Sequence, residues 1–390
     1  MDLGAGLRLV SFGPVEGGPF RFASAIRAAV AELGDTPKLV IVYLPILPAA
    51  ELRAYLAAAA SAARGATIVG ATTGGAAFTE HGVTRTGAVG AVLGGDVSIR
   101  TADARHVHEE GPRALHRALE SLDIGSARSP SMLVLMDAYA IDGEALVSAL
   151  REHTPIGCRC FGGTAGDDWS FDRTFVFHDG EVLSSAAVFV LIESPSKMAM
   201  DVLHGFCPAP GARDMLITDI EGSVLRSLDD RPAADVYLEE LDRLGLIRPG
   251  EDPVRALFRA EIGIATPFGE HLKIRAPLGI GPDRSITLAG SLPPWRSVRV
   301  VVATPNQLVN AAEQLADRVR RRVGAPLRGA LVFDCAARMK LLETHFETET
   351  QAFAGSSRAP TLGIASYGEI AKFGGNVEGF HNTTAVMVGW

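Results

Sequence analysis

Apolar positions along this chain fall into one order that recurs three times. In the first stretch, Leu7 to Phe12 reads as a strand, and Pro19 to Leu33 carries Phe22, Ile26, Ala29, Val30 and Leu33 at helical spacing. Gly34 and Pro37 end that helix. Leu39 to Leu44 is a continuous apolar run, as expected of a strand buried on both faces. An alanine-rich helix follows over Ala49 to Arg64. Thr67 to Val69 is then a strand that runs into Gly70-Ala71-Thr72-Thr73-Gly74-Gly75, and Gly87 to Leu93 is a fourth strand.

The second stretch repeats this. Val97 to Thr101 is a strand, Gly111 to Leu122 a helix, Met132 to Met136 a buried strand and Asp142 to Glu152 a helix. Cys160-Phe161 enters the Gly162-Gly163-Thr164-Ala165-Gly166-Asp167-Asp168 turn, and Ala186 to Ile192 closes the unit. In the third, Val298 to Val302 is the first strand, Pro305 to Arg322 a long helix and Ala330 to Phe333 the buried strand. A helical segment follows to Phe353. Leu362 to Ala365 then enters Ser366-Tyr367-Gly368-Glu369, and Thr384 to Val388 is last. First and second strands of each unit lie roughly 32–35 residues apart, and a turn glycine follows about 30 residues later, as internal repeats require.

Residues 195–297 break the pattern. They hold short alternating runs (Met198 to Val202, Met215 to Asp219, Leu272 to Ala276, Ser285 to Ala289) around a helix over Ala233 to Leu244. The expected fold is therefore α/β: repeated β-α-β-α-β-β units with mainly parallel sheets, plus an inserted, antiparallel-leaning α+β part. The expected divisions are 1–194 (two units), 195–297 (the inserted part) and 298–390 (the third unit).

Composition narrows the function. The 390 residues are 47% hydrophobic, enough for a sizeable core, and the formal net charge of -8 argues against a nucleic-acid partner. The one basic block, Arg318 to Arg322, sits on a predicted helix and reads as a solvated helix end. No apolar run approaches the roughly 20 residues that span a bilayer, and no signal peptide is evident, so a cytoplasmic protein with no membrane partner is expected. Cys158, Cys160, Cys207 and Cys335 lack zinc-pair spacing and read as reduced thiols.

The three turns carry the candidate chemistry. Turns after parallel strands lie where α/β proteins bind ligands, and glycine there lets a ligand approach backbone N–H groups. Neither phosphate-binding glycine motif is present, and Asp167, Asp168 and Glu369 would repel an anion. Those carboxylates suit an ammonium group, while Arg338 could fork onto a carboxylate, so a zwitterion such as a free amino acid is one reading. The alternative is an internal Arg338–Glu ion pair. Ile364-Ala365-Ser366-Tyr367-Gly368 is close to a nucleophile elbow but has Ile364 where the first glycine belongs, which disfavours a hydrolase. His204, His178, His381 and the His106/His108 pair are candidate metal or haem ligands, with no metal signature around any of them.

Taken together, the chain resembles the FIST family of bacterial intracellular signal-transduction sensors. The resemblance rests on Gly162 to Asp168 with Phe175-Val176-Phe177 and Asp179-Gly180-Glu181-Val182, then His204-Gly205-Phe206, Leu228-Asp229 and Pro232-Ala233. It continues in Phe333 to Arg338, Ser366 to Ile370 and Phe380-His381-Asn382-Thr383-Thr384. It covers residues 35–390, with a FIST N-like first part and a FIST C-like third unit. It departs from the family pattern around Cys335, at Asp334 and Ala336. It implies a small-ligand sensor, not an enzyme, that signals to a separate histidine kinase, cyclic-dinucleotide enzyme or chemotaxis protein. Some members bind haem and sense nitric oxide, for which His204 and His381 are the candidate ligands here. The ligand-binding set expected from turns and resemblance is Thr72, Thr73, Gly163, Thr164, Asp167, Asp168, Cys335, Arg338, Ser366, Tyr367, Glu369 and Asn382.

Overall fold

A computed structural model of the chain describes residues 6–265, 272–374 and 378–390. The fold is α/β. Three of its sheets have six strands each and share one plan. The first sheet runs Leu7–Val15, Ala88–Gly95, Leu39–Leu44, Thr67–Thr72, then the hairpin Val176–His178 and Glu181–Leu183. The second runs Ser98–Ala104, Ala187–Glu193, Ser131–Met136, Arg159–Thr164, then Glu369–Lys372 and Gly379–His381. The third runs Ala199–Leu203, Ala385–Gly389, Ala330–Cys335, Thr361–Ser366, then Ala77–Thr79 and Gly82–Thr84.

Each unit thus gives its hairpin to a neighbour: first to third, third to second, second to first. The exchange is cyclic and ties the units into a ring. Each sheet is mixed. In the order given, its third and fourth strands are parallel, as in the Val42↔Gly70, Val134↔Gly162 and Val332↔Gly363 registers, and its other pairings are antiparallel.

Strand alternation explains why these runs are apolar throughout. Leu39, Ile41 and Tyr43 point into a core shared by all three sheets, together with Leu133, Phe161, Leu331, Phe333 and Val386. Val40, Val42 and Leu44 point outward under the helices Gly18–Leu33 and Ala49–Ala62. Met132, Val134 and Met136 do the same in the second unit, and Ala330 and Val332 in the third. Full burial of such a side chain contributes about 1.5–3 kcal/mol, so a strand that fills two cores is strongly held.

The expected start of the third unit is corrected. Val298 to Val302 lies within Ser297–Val302, which pairs with Glu261–Ala265 and Met215–Glu221 in a separate nine-stranded sheet. The first position of the third sheet belongs to Ala199–Leu203, antiparallel to Ala385–Gly389. Both runs read as strands, and the edge each one meets, Glu261–Ala265 for Ser297–Val302 and Ala385–Gly389 for Ala199–Leu203, decides the sheet it joins. The added part therefore lies between this first strand and the helix Pro305–Val323. It has its own core, with Ile217, Tyr237, Leu241, Ile262 and Val300 around the helix Ala233–Arg243.

Pro305–Val323 opens on a Thr304/Gln307 capping box and closes on Gly324 in the left-handed region. Its basic end is more than solvated. Arg322 donates to the Met200 carbonyl (2.8 Å) and pairs with Asp201 (3.1 Å), fastening the helix to the third sheet's first strand. Among the described residues, no helix is long and apolar enough to cross a membrane.

Candidate functional site

The three glycine turns do meet. The Gly74 N–H donates to the Ala365 carbonyl (2.7 Å), Gly166 N–H to Thr72 (2.9 Å) and Tyr367 N–H to Thr164 (3.3 Å). This is a closed ring of backbone bonds around the axis of the three units. Gly166 shows why glycine is needed: a Cβ there would stand 2.3 Å from the Gly74 Cα. Here glycine serves the approach of one turn to another.

Beside this ring lies a cavity of about 470 Å³, roofed by the added part. The second unit contributes His108, Met136, residues 138–143, Thr164, Trp169 and Phe171. The third contributes Cys335, Ser366, Tyr367, Phe380 and Asn382, and the added part Ala276, Leu278 and residues 288–290. The lining is mostly apolar, as small-molecule sites are.

One wall is an aromatic group built by Asp167. Its carboxylate accepts from the N–H groups of Trp169 (2.9 Å), Phe171 (3.3 Å) and Asp172 (3.0 Å), and from the Tyr367 hydroxyl (2.5 Å). Burial pushes this carboxyl up, but the Tyr367 hydroxyl and the backbone donors outweigh it and hold it below the usual range. The loop so folded stacks Phe171 on Tyr367 (5.4 Å between ring centroids) and sets Trp169 edge-on to both.

The polar groups are few. Thr164 Oγ1 and Asn382 Oδ1 are buried and have no hydrogen-bond partner among the described residues. Asn382 Nδ2 donates to the Ala289 carbonyl of the added part (3.0 Å). Ser366 Oγ donates to Glu369 (2.9 Å), which lies fully buried behind it. Burial raises the Glu369 carboxyl well above the usual range, and burial with the Glu369 charge raises the Cys335 thiol likewise. Asp142 caps the helix Gly143–His153 through Glu144 N–H (2.8 Å) and takes both Ser291 N–H and Ser291 Oγ (2.9 Å each). Next to it Glu144 pairs with Lys273 and with the buried Arg275 (2.5 Å). These contacts close the added part over the cavity.

Of the expected binding residues, Thr164, Cys335, Ser366, Tyr367 and Asn382 line this cavity. The others do not. Arg338 is fully buried. Its guanidinium pairs with Asp334 (2.9 Å) and Glu349 and donates to the carbonyls of His204 (2.5 Å) and Leu308 (3.1 Å). The structure therefore corrects the expected carboxylate fork and places Arg338 in the internal ion pair. Its partners are Asp334, four residues before it, and Glu349, in the first turn of the separate helix Phe346–Ser357, which no short motif reveals. Asp167 organises its own loop, so an ammonium partner is not its role. Thr72 accepts from Phe175 N–H (3.0 Å) and fixes the same loop. Gly163 packs on Ser366. Thr73 and Asp168 line a smaller recess with Arg85. Glu369 supports Ser366 from behind.

Haem fits poorly. Neither His204 nor His381 lines the cavity, whereas His108 of the His106/His108 pair does; His204 Nδ1 accepts from Phe206 N–H (2.9 Å), and His381 is buried in the exchanged hairpin. Tyr139, Trp169, Phe171, Asp142 and the added part's residues were not anticipated. Trp169 and Phe171 had a signal, two aromatics just after a glycine turn in an otherwise polar loop. Residues 276–290 had none.

Comparison with known proteins agrees with this reading of the chain. Residues 38–231 match the FIST N domain and residues 233–372 the FIST C domain. An uncharacterised protein of Methanocaldococcus jannaschii is 39% identical over 80 residues, which is 20% of this chain and 15% of that one. A crystal structure of a cyanuric acid hydrolase from A. caulinodans superposes with a TM-score of 0.27 at 10% identity, over 50% of this chain and 72% of that chain.

Proposed function

The chain belongs to the FIST family of signal-transduction sensors, and from that premise we propose that it binds a small molecule in the cavity between the second unit, the third unit and the added part. The observation that carries this is that Thr164 and Asn382, each with one buried polar atom (Oγ1 and Oδ1) that has no hydrogen-bond partner among the described residues, both stand on this mostly apolar lining. Leaving such an atom unsatisfied costs about 1–3 kcal/mol, which a ligand with a suitable donor recovers. Asn382 Oδ1 can only accept, so the ligand presents an N–H or O–H to it. Among the described residues the lining holds no Lys or Arg, while it holds His108 and Asp142, whose carboxylate already accepts from Glu144 N–H and Ser291, so the wall disfavours an anionic group and suits an uncharged ligand, or an amino acid whose carboxylate faces solvent. The aromatic wall of Tyr367, Phe171 and Trp169 suits a flat or apolar body.

Binding, not turnover, is the role that the chemistry supports. Ser366 Oγ donates a hydrogen bond to Glu369, whose buried carboxyl is raised well above the usual range, and burial pushes the Cys335 thiol away from the thiolate. The signal would leave through the added part, which touches the site through Asn382, Asp142 and Glu144, and reach a separate histidine kinase, cyclic-dinucleotide enzyme or chemotaxis protein.

The test is a set of thermal melts and calorimetric titrations with free amino acids, their amides and small neutral alcohols. A ligand at 100 times its Kd stabilises the fold by about 2.7 kcal/mol. Thr164→Val and Asn382→Leu should each weaken that ligand by about tenfold, the worth of a buried hydrogen bond. A ligand that binds both variants as tightly as the wild type places the site elsewhere. Consumption of the ligand during incubation would replace sensing with catalysis.

A further inference from the structure

Away from the cavity, two imidazoles face each other nitrogen to nitrogen. His116 on the helix Pro112–Ser121 and His153 at the end of Gly143–His153 bring Nδ1 and Nε2 to 2.6 Å, with ring centroids 4.8 Å apart at 70°. Glu152 Oε2 lies 3.7 Å from His116 Nδ1. One donor atom from each of the three falls within 4.8 Å of the others. We propose that His116, Glu152 and His153 form a binding site for a divalent transition metal, zinc(II) foremost, that clips these two helices together.

The donor set is the first reason. Two neutral imidazoles and one carboxylate are the ligands of open zinc sites, where water takes the fourth position. Access is the second. The His116 side chain is 30% exposed and Glu152 is 59% exposed, so an ion and its water can enter without opening the core. The third is the poor match of the pair to any other task. Facing ring nitrogens are compatible only while one ring accepts from the other, and a second proton would make them repel. A metal ion between them removes that conflict.

Zinc–nitrogen bonds of about 2.0–2.1 Å at a tetrahedral angle need nitrogens roughly 3.3 Å apart, so the rings must part by less than 1 Å. Side-chain rotation supplies that, because Leu115 and Leu119 already pack with Leu146, Val147 and Leu150 and hold the helices in place. Ser148 Oγ donates to Glu152 Oε1 (3.3 Å) and leaves the other oxygen for the metal. The location gives the site a consequence. Gly143–His153 starts at Asp142, on the cavity wall, and Glu144 in its first turn holds Arg275 of the added part. Metal at the far end fixes the helix whose near end closes over the cavity.

The experiment uses the full, tag-free chain with Cys207→Ser throughout to remove the exposed thiol. After chelation and buffer exchange it is titrated with zinc(II) by calorimetry, and with cobalt(II) for its visible absorption. One equivalent should bind saturably, raise Tm and give cobalt d–d bands. The double variant His116→Gln/His153→Gln should lose that equivalent and its bands, with an unchanged metal-free melt. Glu152→Gln, at an exposed position, should bind at least about tenfold more weakly, since losing a direct ligand costs no less than losing an outer-shell partner. Saturable binding that survives in the double variant, or no equivalent in the parent above the double variant, overturns the proposal.

Discussion

Arg338 shows how completely one side chain can be committed to the interior. Two carboxylates and two carbonyls surround a guanidinium with no exposure, while burial raises the Asp334 carboxyl well above its usual range. Removing one partner of a buried ion network leaves the other charges uncompensated, which costs about 3–5 kcal/mol. Arg338→Met should therefore lose about that much in urea unfolding, and Arg338→Lys should recover only part, since an ammonium lacks the planar fork. A loss below about 1 kcal/mol would mean that the acids simply become neutral. Either way Arg338 reports on stability, whereas Thr164 and Asn382 report on the ligand.

The turns are the elements that the fold depends on most. Each donates one backbone bond and accepts one in the ring that closes the three units, and Gly166 admits no side chain there. A Cβ at 2.3 Å from backbone cannot be relieved by a rotamer change, so Gly166→Ala should cost at least the 1–3 kcal/mol typical of overpacking. The matching control is Gly125→Ala, where a Cβ would meet nothing within 4 Å. Chemical unfolding of both separates close approach from helix or loop propensity; equal midpoints would show that the ring can open by that distance.

Across the whole molecule, the added part is held to the units through polar contacts, and one of them titrates near neutrality. Glu261, buried in the added sheet, accepts from Thr383 Oγ1 of the third unit (3.1 Å), and burial raises its carboxyl to about 8 against the Thr383 hydrogen bond. An acid raised in the folded state keeps its proton there longer than in the unfolded chain. Stability must then fall as pH rises from the unfolded value near 4.5 to about 8, and stay flat above. At 1.36 kcal/mol per pKa unit the full fall is at most about 5 kcal/mol. Glu261→Gln, which keeps shape without the charge, should remove that slope and be the more stable chain at pH 8.5. Unfolding midpoints at pH 5 and pH 8.5 for both chains decide it, and parallel pH profiles would place the titration elsewhere.

Periodicity was enough to find the three units, their buried strands and the glycine turns, because alternation and helical spacing are local records of which faces are covered. The motifs in those turns and around Phe333 to Arg338 were enough for the family. Five cavity residues, Thr164, Cys335, Ser366, Tyr367 and Asn382, were legible for the same reason: they stand at strand ends, where the pattern changes. What lay beyond reach was the choice of neighbours. A hairpin such as Ala77–Thr79 with Gly82–Thr84 is too short to carry a pairing signal, and its exchange into the third sheet is settled by long-range backbone bonds. Ser297–Val302 and Ala199–Leu203 both read as strands in the sequence, and which edge each one meets is decided only in the folded chain. The roof of the cavity and the partners of Arg338 come from residues far apart in the chain, brought together by burial of surfaces that no single stretch displays.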